Sequence, residues 1–137
     1  MKIKQQVDDF KVEELIDINK SKDGEYTYFW LEKTNWNTTR AIQQIAKKCR
    51  ISLKRFGWAG TKDKIGITKQ LVSVWKIEPE VLENVKLKDI KIKIKGKGDN
   101  RINLGDLKGN RFKIIIRDLN DENLENQTKF DLYFYIL

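Results

Sequence analysis

Phe56-Gly57-Trp58-Ala59-Gly60-Thr61-Lys62-Asp63-Lys64-Ile65-Gly66-Ile67-Thr68-Lys69-Gln70-Leu71-Val72-Ser73-Val74-Trp75 reads as strand, loop, strand. A short strand over Arg55 to Ala59 enters a glycine-bearing loop, and Gln70 to Trp75, apolar and β-branched, leaves it. The loop places one carboxylate, Asp63, between two lysines. Nearby positive charge favours the ionised form of such a group. An ionised carboxylate held on a loop between strands can act as nucleophile, general base or metal ligand. A solvated turn fits the same residues. A Walker phosphate loop does not, because neither Gly57 nor Gly60 stands at the required spacing from a Gly-Lys-Ser/Thr group.

Working outward, the segment before this unit predicts a helix over Thr38 to Arg50. Ala41, Ile42, Ile45, Ala46 and Cys49 recur at helical spacing, Asn37 or Thr38 can cap the first turn, and basic residues close the last. Farther upstream, Phe10 to Ile18 and the aromatic-rich Tyr26 to Lys33 read as two strands joined through a turn at Ser21 to Gly24, and they are expected to pair with each other. Downstream, Glu78 to Glu83 opens a brief helix with Pro79 at its first position. Lys88 to Lys95 alternates Ile90, Ile92 and Ile94 with Lys91, Lys93 and Lys95, which predicts a strand with buried isoleucines and a solvated row of lysines. Asn110 to Arg117 alternates in the same way. The stretch 118–129 is polar, and Phe130 to Leu137 is almost wholly apolar.

The chain has 137 residues, enough for one domain, and a formal net charge of +8, which favours a polyanionic partner, nucleic acid first. It contains no histidine and one cysteine, Cys49. His-based triads and the usual zinc-ligand sets are therefore excluded, as is an internal disulfide. No apolar run approaches a membrane span, and the first residues lack the apolar stretch of a signal peptide, so the expected location is cytoplasmic.

Four separated segments, in order, resemble the TruD family of pseudouridine synthases. Ile3-Lys4 with Asp9-Phe10-Lys11-Val12-Glu13-Glu14 is similar to its opening motif. Gly24-Glu25, Leu31-Glu32-Lys33 and Asn37-Thr38 lead into the Ala41 to Lys47 helix. Phe56 to Lys64, with Thr68 and Gln70 behind it, resembles the catalytic signature, and Leu104-Gly105-Asp106-Leu107-Lys108-Gly109-Asn110-Arg111-Phe112 resembles the family's Gly-x-Leu-Lys-Gly-Asn-x-Phe segment.

That resemblance implies an α+β fold, a mostly antiparallel mixed sheet with one main helix, equivalent to half of a pseudouridine synthase catalytic core. It implies a chain organised as residues 1–118, the N-terminal part of the catalytic domain, and 119–137, a divergent and truncated tail. Asp63 would be the catalytic aspartate. Phe10, Asn110, Phe112, Lys4 and Glu14, with the flanking Lys62 and Lys64, would bind substrate. The partner would be tRNA, the target uridine 13, with no metal and no cofactor. Family members continue into a further segment that this sequence lacks, so a missing C-terminal half is an expected partner, and weak or absent turnover is expected of the chain alone. The competing expectations are a non-catalytic RNA-binding fragment and, further behind, a phosphoaspartyl enzyme: Asp63-Lys64-Ile65-Gly66-Ile67-Thr68 also resembles the phosphorylated Asp-Lys-Thr-Gly-Thr segment of P-type ATPases, with Ile65 and Ile67 in place of both threonines.

Overall fold

The computed structural model describes residues 10–60, 62, 66–116 and 128–135. They form strands β1 (Phe10–Ile16), β2 (Tyr26–Thr34), β3 (Phe56–Trp58), β4 (Ile67–Trp75), β5 (Ile90–Gly98), β6 (Leu107–Ile116) and β7 (Thr128–Tyr135), with helices α1 (Thr38–Cys49) and α2 (Pro79–Glu83). The strands make one sheet in the order β5-β2-β4-β1-β6-β7, and β3 adds to β4. All pairings are antiparallel except β1 with β4. The fold is thus mixed α+β around a mostly antiparallel sheet.

The helix forms where its pattern places it. Asn37 caps it by accepting the Arg40 N–H at 3.3 Å, and Arg50 ends it in the left-handed conformation at φ 58°, where its N–H reaches the Lys47 carbonyl. Ala41, Ile42 and Ile45 are fully buried against Phe29 and Leu31 of β2 and Val72 and Val74 of β4. Leu82 of α2 closes this core, and Ile90, Ile92 and Ile94 pack at its margin while Lys91, Lys93 and Lys95 point to solvent. On the opposite side a smaller cluster gathers Tyr28, Leu71 and Ile102. It is pinned by the Tyr28 hydroxyl donating to the Asn100 carbonyl at 2.6 Å and by Ser73 Oγ accepting the Ile102 N–H at 3.0 Å.

The expected pairing of the first two strands is not made. β4 lies between them, pairing with β2 along Tyr26↔Trp75 to Thr34↔Ile67 and with β1 at Lys11↔Ile67 to Glu13↔Lys69. The reason is burial. β4 is buried on both faces from Gln70 to Val74, and such a strand belongs inside a sheet with a neighbour on each edge. Pairing also extends strands beyond their sequence reading: β4 begins at Ile67, β5 runs on to Gly98 and β6 begins at Leu107. Within the stretch 119–137, Thr128–Tyr135 forms β7, in register with β6 along its length.

On the sheet face away from α1, one row crosses six strands: Lys91, Glu32, Lys69, Glu13, Arg111 and Tyr133 are successive register partners. Lys69 stands 3.5 Å from Glu13 and the Arg111 guanidinium 5.3 Å from the Tyr133 ring centre.

Candidate active site

The site grows from a fork in the sheet. One edge of β4 takes two strands, β1 against residues 67–69 and β3 against 72–74, and neither reaches Gln70 or Leu71. The side chain of Glu14, fully buried, fills the gap. Its Oε1 accepts the Leu71 N–H at 3.0 Å, and its Oε2 lies 3.0 Å from Lys62 Nζ. The second contact is an ion pair by proximity, without the alignment of a well-directed hydrogen bond. Burial pushes the Glu14 carboxyl above the ordinary glutamate range, and the Lys62 charge and the Leu71 N–H oppose that rise without cancelling it.

The loop between β3 and β4 is held on both sides of position 63. Gln70 Nε2 donates to the Gly60 carbonyl at 2.9 Å, the Thr38 hydroxyl donates to Gln70 Oε1 at 2.9 Å, and Thr38 Oγ1 accepts the Lys62 N–H at 2.9 Å. Thr38 and Gln70 are both fully buried. Past the loop, Gly66 N–H donates to Asn35 Oδ1 at 3.0 Å, and Asn35 N–H returns to the Gly66 carbonyl at 3.1 Å. Gly66 has φ +98°, and a Cβ there would sit 2.9 Å from the Phe10 carbonyl oxygen, so glycine is required both by conformation and by space.

Beside the loop, Phe10 and Phe112 face each other across β1 and β6, ring centres 6.1 Å apart and tilted by 50°. Val12 opposes Phe112 and Glu14 opposes Asn110, so alternation sets Phe10, Glu14, Asn110 and Phe112 on one side of the sheet, the side α1 covers farther along. Asn110 Oδ1 and Thr68 Oγ1 are buried here with no hydrogen-bond partner among the described residues. Each such atom costs about 1–3 kcal/mol unless a partner is supplied.

Five of the residues singled out from sequence thus come together: Phe10, Glu14, Lys62, Asn110 and Phe112. Asp63, Lys4 and Lys64 lie outside the described residues. Sequence reading missed the parts played by Asn35, Thr38, Gln70 and Thr68. It also missed Lys33, 1 % exposed at the end of β2 in register with Thr68. Strand parity was the available signal for Lys33, which shares the alternation of the core residues Phe29 and Leu31. Among the described residues no group of three metal-ligating acids, cysteines or histidines occurs, and no helix is long and apolar enough to cross a membrane.

The family model for tRNA pseudouridine synthase D (TruD) matches residues 1–132. The chain is 41 % identical over 128 residues to the probable tRNA pseudouridine synthase D of Methanococcoides burtonii, covering 93 % of this chain and 29 % of that protein. Against the protein of the same name from Thermococcus onnurineus the identity is 43 % over 129 residues, 93 % of this chain and 30 % of the relative. A crystal structure assigned to TruD from Methanosarcina mazei superposes with a TM-score of 0.81 at 33 % identity, over 87 % of this chain and 27 % of that one. The chain therefore spans less than a third of the length of these relatives, and by the extent of the match it belongs to the TruD family of tRNA pseudouridine synthases.

Proposed function

We propose that this chain supplies the carboxylate and one base-binding wall of an enzyme that isomerises uridine to pseudouridine in tRNA, uridine 13 being the target. The observation that carries the reading is the pair of partnerless buried atoms, Asn110 Oδ1 and Thr68 Oγ1, near the tilted Phe10–Phe112 pair. Aromatic faces recover part of the stacking lost when a base is turned out of an RNA fold. An amide oxygen and a hydroxyl suit the N–H and carbonyl edge of uracil, and such a ligand offsets the cost of their burial.

In the reaction the N1–C1′ bond breaks, the base turns while bound, and a C5–C1′ bond forms. The C5 proton leaves and N1 ends protonated, so substrate and product have the same atoms and no cofactor is consumed. Asp63 is the group proposed to act on the sugar, the base or the proton. Lys62, its covalent neighbour, adds positive charge that favours the ionised carboxylate. The named relatives are much longer, and turnover by this chain alone is proposed to be weak, detected with the chain in excess over tRNA.

The test is a single-turnover incubation of unmodified tRNA with excess chain, followed by digestion and quantification of pseudouridine. Product that disappears with Asp63→Ala is the expected result. Salt-dependent tRNA binding that survives Asp63→Ala, with no product at any excess, would move the assignment to a non-catalytic RNA-binding fragment. Transfer of labelled phosphate to Asp63 would replace it with a phosphoaspartyl enzyme.

A further inference from the structure

We infer that Thr38 and Gln70, assisted by Asn35, are positioning residues that fix the loop carrying Asp63. This rests on the role proposed above for Asp63. The three side chains come from the first turn of α1, the middle of β4 and the turn after β2, so the main helix and the central strand are tied directly to the loop.

The hydrogen bonds form a directed relay. The Lys62 N–H donates to Thr38 Oγ1, the Thr38 hydroxyl donates to Gln70 Oε1, and Gln70 Nε2 donates to the Gly60 carbonyl. Each hydroxyl and amide atom has one role that satisfies all of them at once, so the relay also fixes which end of the Gln70 amide is oxygen. It starts and finishes on the same loop, at residues 62 and 60, and thereby ties down the backbone at two points shortly before position 63. Asn35 sets the path after it through two bonds to Gly66. The members are fully buried at Thr38 and Gln70, where a hydrogen bond competes least with water. Glu14, holding Lys62 from beneath, belongs to the same scaffold.

A displacement of about 1 Å in a reacting group can cost on the order of 100-fold in rate. Thr38→Val and Gln70→Met keep shape and remove the relay. Each should lower the single-turnover rate about 10- to 100-fold with tRNA affinity nearly unchanged, and Thr38→Ser should restore it. Because both act through one relay, the double variant should be little slower than the slower single one. A residue that only holds the fold would instead lower Tm and leave the rate of the folded fraction intact. Amide exchange gives a readout that needs no turnover: the Lys62 N–H should be protected, exposed by Thr38→Val and protected again by Thr38→Ser. Wild-type rate in Thr38→Val and Gln70→Met, or an unprotected Lys62 N–H in the unaltered chain, would overturn the inference. Unaltered product formation in Asp63→Ala would instead overturn the reading of Asp63 on which it stands.

Discussion

The side of the sheet that carries α1 is two surfaces joined at β4. Over β5, β2 and the C-terminal part of β4 it is apolar and sealed by the helix: Phe29, Leu31, Val72 and Val74 meet Ala41, Ile42 and Ile45. Over the start of β4, β1 and β6 it bears Thr68, Glu14, Asn110 and Phe112, with Lys62 ion-paired to Glu14. In the first half no buried side-chain polar atom among the described residues lacks a hydrogen-bond partner. In the second, Thr68 Oγ1 and Asn110 Oδ1 are buried without a hydrogen-bond partner among the described residues, and burial pushes the Glu14 carboxyl above the ordinary glutamate range. A chain tolerates that where the missing partners come from outside, which is why the second half is the one assigned to substrate.

The contrast is easiest to break at its sealed end. Phe29→Ala, a truncation at a side chain with no exposed surface, should cost about 3–5 kcal/mol of stability in a denaturant titration. At the junction, Gly66→Ala combines the φ of +98° with a contact to the Phe10 carbonyl, and should cost roughly 1–3 kcal/mol while slowing any turnover. The sharpest comparison uses one chemical change in both directions. Val72→Thr places a hydroxyl in the sealed core and should destabilise by about 1–3 kcal/mol. Thr68→Val removes a partnerless hydroxyl from the other half, and should raise stability by up to about 1 kcal/mol while weakening uridine binding. Smallest of all, Lys93→Gln on the outer strand should change stability by less than about 0.5 kcal/mol, and the salt dependence of tRNA binding should stay as it is.

The sealed half was readable in the sequence because local periodicity encodes it. The spacing of Ala41, Ile42, Ile45 and Ala46 defined α1, Asn37 marked its start, and the Ile/Lys alternation from Ile90 to Lys95 defined the face of β5 that packs inward. Strand order was not readable: nothing in Phe10–Ile16 or Tyr26–Thr34 alone says that β4 will lie between them, because non-local pairing leaves no local signature. The site divided in the same way. Ordered motifs pointed to Phe10, Glu14, Lys62, Asn110 and Phe112. Thr38, by contrast, looked like a helix-capping residue and Gln70 like the first residue of a strand. Their parts depend on hydrogen bonds between residues 32 and 10 positions apart, which appear only once helix, strand and loop are assembled.

The charged row on the far face also guards against misassembly. A one-residue slip of a strand would turn its apolar side outward and be rejected by burial, but a two-residue slip preserves the faces and escapes that filter. Moving β1 by two residues along β4 would set Lys11 opposite Lys69 in place of Glu13, and like charges directly opposed are destabilising. The row thus serves as a vernier: it distinguishes registers that hydrophobicity treats as equal, and holds Glu14 level with the gap at Leu71 that it must fill.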